Sequence, residues 1–285
     1  MGAAINQSML DALPSLGVGL GFREPFRSDL FLHRSQVDFL EITADHYFKA
    51  SPEKLRELDL LAAHFTLIPH GLNLSLGSAE GVDPEYLEQF ARLVRRLNPP
   101  WWSEHIAFTH ADGIEIGHLA PLPLTREAVR TVSRNIETVR KKIETPLILE
   151  NISFVVSMPG AEMTEAQFIT EITERSGCGL LLDVTNLHAN AVNHGYDPLV
   201  FLERLPCERI VQLHFVGGHF HNGVFIDSHS QPASQEIWTL LEAVVQRAPV
   251  RGIILERDEN LPPFCELAAE LGQAREIGRR HRRWN

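Results

Sequence analysis

Gly179-Leu180-Leu181-Leu182-Asp183-Val184-Thr185-Asn186-Leu187-His188 is the stretch on which the fold turns. Its first five residues make a short apolar run, the length of a strand rather than a helix, and the run closes on a carboxylate. Working outward, the same pattern recurs. Ile68-Pro69-His70, Ser103-Glu104-His105, Leu149-Glu150, Leu213-His214 and Leu255-Glu256 each finish a short run in an imidazole or a carboxylate. With two earlier runs, strands are predicted at residues 16–22, 37–43, 65–70, 101–106, 146–150, 179–183, 210–215 and 252–256.

Helical patterns lie between these runs. Ser51-Pro52, Asp83-Pro84 and Asp197-Pro198 each set an N-cap residue before a proline at the first helical position. Thr164 with Gln167 forms a capping box, and Thr125 with Glu127 is a weaker version of it. Residues 126–143 place Val129, Val132, Ile136, Val139 and Ile143 on one helical stripe. No linker or low-complexity tract divides the chain. Eight strands alternating with helices predict a single (β/α)8 TIM barrel, one domain over residues 1–285, rather than an open doubly wound sheet. Gly17-Val18-Gly19-Leu20-Gly21 has the wrong spacing for a dinucleotide fingerprint, and neither a phosphate-binding loop nor a nucleophile elbow occurs.

Composition narrows the function classes. A formal net charge of −11 argues against a nucleic-acid partner, which calls for a basic face. The one basic run, Arg279-Arg280-His281-Arg282-Arg283, reads as the solvated end of the last helix, its cations complementing the helix dipole. Cys178, Cys207 and Cys265 stand far apart and form no C-x-x-C pair, which suits a reducing compartment. The first residues lack a secretory pattern, Asn6 spoils a myristoylation pattern, and no apolar run approaches the roughly 18 residues of a membrane span. The expectation is a soluble, cytoplasmic protein with no membrane partner.

Histidine, the commonest metal ligand, occurs fourteen times, and position matters more than number. The strand ends read His70, His105, Glu150, Asp183, His214 and Glu256, and in a barrel they ring one opening. Asp227-Ser228-His229 follows the seventh strand on the same face, and Asn186 and His188 lie within a turn of Asp183. Glu150, Asp183, Asp227 and Glu256 would bring about four carboxylates into a partly dry cavity, a prohibitive cost unless they protonate, pair or bind metal. Basic side chains are scarce there, since Arg257 is expected to face the other way. Cations from solution resolve the conflict, and the interspersed imidazoles favour transition metals over magnesium or calcium. Without thiolate the donor set fits iron, manganese or catalytic zinc, and eight or nine donors imply two or three ions.

Taken singly, a strand-end His or Glu is more often a hydrogen-bonded barrel residue; it is the six in register that point to metal. Glu41 and His46 are expected to line the site as ligands or as supports for them. Residues 217–221, Gly217-Gly218-His219-Phe220-His221, read as a mobile loop near the rim, with His219 either touching substrate or solvated. His33, His64, His110, His118 and His281 are expected on helices or loops away from the ring, and Trp101 and Trp102 in barrel packing.

These residues carry a resemblance. Gly19-x-Gly21-Phe22-Arg23, Glu41-Ile42 with His46-Tyr47-Phe48, and His70-Gly71-x-Asn73-Leu74-Ser75-Leu76-Gly77 come in order. Ser103-Glu104-His105, Leu149-Glu150-Asn151, Asp183-Val184-x-Asn186, residues 191–198, Asp227-x-His229 and Glu256-Arg257-Asp258 complete the series. The chain resembles the multinuclear non-haem iron-dependent oxidative enzymes, the MbnB-like group, from about residue 17 to 263, with a C-terminal helix running on to 285. The resemblance implies a xylose-isomerase-like barrel with two or three irons, ferrous or ferric, and dioxygen as co-substrate. It implies modification of a ribosomally made precursor peptide, frequently at cysteine, with a separate peptide-recruiting partner protein. On that pattern His70, His105, Glu150, Asp183, Asn186, His214, Asp227, His229 and Glu256 would be the iron ligands. Asn73 and Asn151 would support them or face substrate. His188 departs from the pattern, where an aromatic or apolar residue is commoner; it would be either an added ligand or a substrate-facing residue.

Two other classes compete. One is a zinc-, manganese- or cobalt-dependent barrel hydrolase or sugar isomerase; the acidic charge disfavours a nuclease, and no catalytic lysine stands among the strand ends. The other is a non-catalytic metal-binding module, for which a barrel rim is costly architecture.

Overall fold

The computed structural model describes residues 7–284, so the N-terminal reading at Asn6 and the last residue of the chain lie outside it. Eight parallel strands close a barrel: β1 Gly17–Gly21, β2 Phe39–Thr43, β3 Thr66–His70, β4 Trp102–His105, β5 Leu147–Glu150, β6 Gly179–Asp183, β7 Ile210–Phe215 and β8 Gly252–Leu255. Each pairs with its sequence neighbours, and β1 closes the ring on β8, the arrangement expected of a (β/α)8 chain. All eight fall where the sequence predicts them, within two residues at either end.

The two-residue period of a strand explains the site above the core. Phe39, Ile68, Trp101, Ile148, Leu181 and Ile254 form one apolar cluster inside the barrel, with Leu10 and Leu13 packed into it from the N-terminal side. Two residues further along each strand the next layer is Glu41, His70, Ser103, Glu150, Asp183 and Glu256. A register shift between β6 and β7 lets both Val211 and Gln212 face inward, after which His214 falls into the polar layer. Space for the inner layer depends on β1. A Cβ on Gly19 would lie 2.5 Å from the Phe39 carbonyl and 2.8 Å from Ile254.

The helices start as their caps dictate. Ser51, Asp83, Asp197, Thr164 and Thr125 each accept a hydrogen bond from a backbone N–H in the first helical turn, and Thr164 and Gln167 complete the capping box. The helix Arg126–Arg140 stops three residues short of the predicted end, although Ile143 remains buried.

Two β-hairpins on the C-terminal side were not foreseen. Phe108–Ala111 pairs with Ile114–Ala120 after β4, and Gly217–His221 pairs with Val224–Gln231 after β7. Residues 217–221 are therefore a hairpin strand rather than a mobile loop, and His110 and His118 lie on strands rather than on helices or loops. The signal was present: Asp112-Gly113 and Asn222-Gly223 take positive φ (52° and 71°; 49° and 82°), the conformation two-residue hairpin turns require. At the other end of the chain, the helix Phe264–Arg280 ends inside the basic run. The backbone turns at Arg282 (φ 56°) and Trp284 folds back against Gly278. The run is thus not simply the solvated end of a helix.

Candidate metal centre

Three groups of donor atoms converge at the C-terminal mouth of the barrel, each group tight enough to hold a metal ion: His70, His105 and Glu150; Glu150, Asp183, His214 and Glu256; and His229, Glu256 and Asp258. Glu150 and Glu256 are each shared between two groups, as bridging carboxylates would be. The strand ends put them there. His105 pairs in register with Glu150, and Asp183 with His214. A cavity of about 280 Å³ opens onto His70, His105, Glu150, Asn186, Asp227, His229, Glu256 and Asp258, walled by Leu72, Leu119 and Ile152.

One oxygen at the centre of this set is placed as a ligand and not as a hydrogen-bond acceptor. Glu150 Oε2 lies 3.3 Å from His70 Nε2 and 3.4 Å from His105 Nε2, yet has no hydrogen bond. Among the described residues, the buried side-chain oxygens left without a partner are Glu150 Oε2, Asp183 Oδ2, Asn186 Oδ1 and Asp227 Oδ1. All four belong to this mouth. Four orphaned acceptors in one buried place fit a cation, which satisfies carboxylate and amide oxygens and imidazole nitrogens together.

Surrounding groups orient the donors. Glu41 Oε1 sits 2.8 Å from His214 Nε2, and Gln212 donates to the other Glu41 oxygen at 2.6 Å while accepting from Trp101 at 2.8 Å. His105 Nδ1 faces the Gly71 carbonyl at 3.0 Å, and His70 Nδ1 faces Ser103 at 2.8 Å. Asn151 brackets the backbone of Asp183 with two hydrogen bonds and accepts one from Asn186. His229 lies between Asp227 and Asp258, 3.0 Å from each. Such partners fix ring orientation and tautomer.

Protonation follows the crowding. Burial disfavours a charged His105, yet Glu150, Glu104 and Glu256 outweigh it and raise its pKa to about 9. Burial likewise opposes ionisation of Glu150, but His214, His105 and His70 hold it down to about 2. His214 and His229 rise well above the ordinary imidazole range despite burial, drawn by Glu41 and Asp227 respectively. Asp183 is pushed up to about 8 by burial and by Asp227 and Glu150. The raised values of His105, His214, His229 and Asp183 favour their protonated forms, and a bound cation would displace those protons.

Not every expected residue joins. His46 is exposed, and Asn73 is exposed and hydrogen-bonded to Asp45 beside Tyr86, in a separate cavity. His188 packs edge-on to Phe225 at 5.0 Å, its pKa lowered by burial, and belongs to none of the three groups. His219 is exposed on the hairpin beside Ser228. Three participants escaped sequence reasoning. Asp258 joins the third group, and its two-residue spacing from Glu256 was the available signal. Gln212 had none. Arg23 corrects the expectation that cations are scarce: it binds Asp258 and lies 3.5 Å from Glu256. Arg257 does turn away, to Glu270.

Fold and site together define a parallel eight-stranded barrel with a carboxylate–imidazole centre, able to hold metal, at the C-terminal ends of its strands. More particularly, the chain belongs to the family described as RiPP precursor modification enzyme MbnB/TglH/ChrH, whose model matches residues 17–279. RiPP denotes a ribosomally synthesised and post-translationally modified peptide, so this is a family of peptide-modifying enzymes. A UPF0276 protein of Caulobacter vibrioides is 37% identical over 263 residues, covering 92% of this chain and 94% of the relative. One from Streptomyces avermitilis is 40% identical over 274 residues, covering 93% of this chain but 56% of the relative. Among solved structures, a D-tagatose 3-epimerase-like protein superposes with a TM-score of 0.59 at 15% identity, covering 93% of this chain and 98% of that one. D-psicose 3-epimerase from Clostridium cellulolyticum H10 gives 0.58 at 10%, covering 93% and 96%. At such identities the likeness is one of fold, the xylose-isomerase-like barrel.

Proposed function

We propose that this chain is an iron- and dioxygen-dependent oxidoreductase that modifies a residue, preferentially cysteine, of a ribosomally made precursor peptide. The observation that carries the reading is the set of four orphaned buried oxygens interleaved with imidazoles, without a thiolate, in a chain of a peptide-modifying family. His70, His105 and Glu150 would hold one ion, Glu150, Asp183, His214 and Glu256 a second, and His229, Glu256 and Asp258 a third. Asn186 and Asp227 aim their free oxygens at the same space. When bound, iron would supply the electrons that reduce dioxygen and an open position for a substrate thiolate.

The protein's own part is to orient and to shield. Leu72, Leu119 and Ile152 wall the mouth against water. A groove lined by His118, Pro121, Val155, Val156, Phe225 and Ile226 reaches Asp227, and Val155 and Val156 are exposed along it. An extended peptide laid there would bring one side chain to the donors. A separate protein that recruits the peptide and a cytosolic location complete the proposal; the three cysteines are free, as a reducing compartment favours. Among the described residues no helix is long and apolar enough to cross a membrane.

The test is elemental analysis and Mössbauer spectroscopy on protein loaded with iron-57 and purified without oxygen. Two or three irons per chain, lost in His105→Ala and Asp183→Ala, with oxygen uptake on adding the precursor peptide, are expected. Zinc or manganese at full occupancy, with iron-independent activity, would replace the reading with a hydrolase or isomerase.

A further inference from the structure

The opposite mouth of the barrel carries a second concentration of charge. A cavity of about 810 Å³ is lined by Arg34, Arg275, Arg279, Arg282 and Arg283, together with His64, at the N-terminal ends of β1, β2 and β3. Asp38 is the one carboxylate in its lining, and it is already committed to Arg275 and to the backbone N–H of Val18. Five guanidinium groups thus gather around one spent acid, in a chain whose formal net charge is −11.

Several of these cations have donors to spare. The Arg282 guanidinium makes no hydrogen bond or ion pair among the described residues, and Arg279 reaches Glu276 only at 3.8 Å. Arg34 spends one N–H on the His64 carbonyl at 3.1 Å. Arg283 donates to the carbonyls of Val245 and Gln246, which carry no full charge, and its pKa is lowered by burial and by nearby Arg251. Its charge is therefore uncompensated. The fold holds the cluster open: the left-handed turn at Arg282 and the seating of Trp284 on Gly278, with its indole N–H donating to the Arg275 carbonyl, bring the tail back over the cavity.

Like charges held together at this density repel one another, and a multiply charged anion relieves the repulsion. Guanidinium forks match phosphate oxygens in pairs, and the volume lies in the range of small-molecule sites, roughly 300–1,000 Å³. We propose that this N-terminal mouth is a binding site for a small polyphosphate-bearing ligand of the di- or triphosphate class. It lies across the barrel from the candidate metal centre, so its ligand is an effector or anchor and not a reactant.

The experiment is isothermal titration of the metal-loaded protein with inorganic tripolyphosphate at low and high salt, its metal content measured before and after so that chelation from the metal centre is separated from binding. Saturable one-to-one binding is expected, weakened tenfold or more in Arg34→Ala/Arg282→Ala and unchanged in Arg56→Ala, a substitution elsewhere on the surface. The single exposed variant Arg282→Gln, checked by circular dichroism, serves if the double variant folds poorly. Absence of saturable binding, or equal affinity in the variants, overturns the site. Tighter binding of citrate or of an oligoglutamate peptide than of tripolyphosphate overturns the phosphate assignment.

Discussion

Glu41 Oε1 lies 2.8 Å from Nε2 of His214, at the boundary between the apolar interior of the barrel and its donor layer. With a cation bound, this carboxylate would hold the proton on Nε2 and leave Nδ1, 3.2 Å from Glu150 and 3.0 Å from Glu256, free to ligate. Glu41 itself is kept in place by Gln212. A residue on the second strand thus sets the ring of a residue on the seventh.

Replacing Glu41 by Gln should keep the volume and remove the charge that fixes this tautomer. Metal affinity of the group containing His214 is expected to fall by about 10–100-fold, the usual effect of losing such a partner. Competition with a calibrated chelator measures it. Unchanged affinity would mean that Gln212 alone orients the ring.

Asp258→Ala should reduce metal content by about one ion while the group at His70 and His105 stays filled. The third group would lose a carboxylate, and Arg23, released from Asp258, would turn its charge on Glu256. Metal counting against His105→Ala separates the two. Equal loss in both variants would mean that the centre assembles only as a unit.

Gly71 has no room for a side chain. A Cβ there would lie 2.6 Å from both Glu104 Oε2 and Phe90 Cε2, and the Gly71 carbonyl faces His105 Nδ1. Gly71→Ala should cost about 1–3 kcal/mol through overpacking and displace His105, lowering the thermal midpoint and the occupancy of the first group together. Thermal unfolding with and without metal tests this; a wild-type midpoint and full occupancy would show that Glu104 simply swings aside.

Glu165 provides a pH prediction away from the centre. Burial raises its carboxyl to about 7, against opposing hydrogen bonds from Asn190 and Tyr196. A carboxyl that binds its proton more tightly when folded contributes stability below its unfolded value, given up as pH rises toward 7. The ionised form should therefore cost on the order of 3 kcal/mol above pH 7. Glu165→Gln should flatten the stability–pH curve between about pH 4.5 and 7, as followed by urea unfolding. An unchanged slope would mean that water reaches the carboxylate.

The sequence by itself was enough for the barrel and for which carboxylates and imidazoles end its strands, because both arise from local periodicity. An apolar residue inside a strand followed two positions later by His70, Glu150, Asp183 or Glu256 is visible in any short window, and so are the proline-led helix starts. What only the tertiary structure decided is non-local. Asp258 pairing with Arg23, Gln212 reaching Glu41, and the sharing of Glu150 and Glu256 between groups depend on the stagger of strands far apart in the chain. The same holds for the departures. His46, Asn73 and His188 carry ligand chemistry in their side chains but lie on segments that turn them elsewhere. The basic tail becomes a cavity wall where Trp284 seats on Gly278, the Ser15 hydroxyl donates to the Arg283 carbonyl and Arg275 pairs with Asp38, contacts between distant parts of the chain that no local pattern encodes.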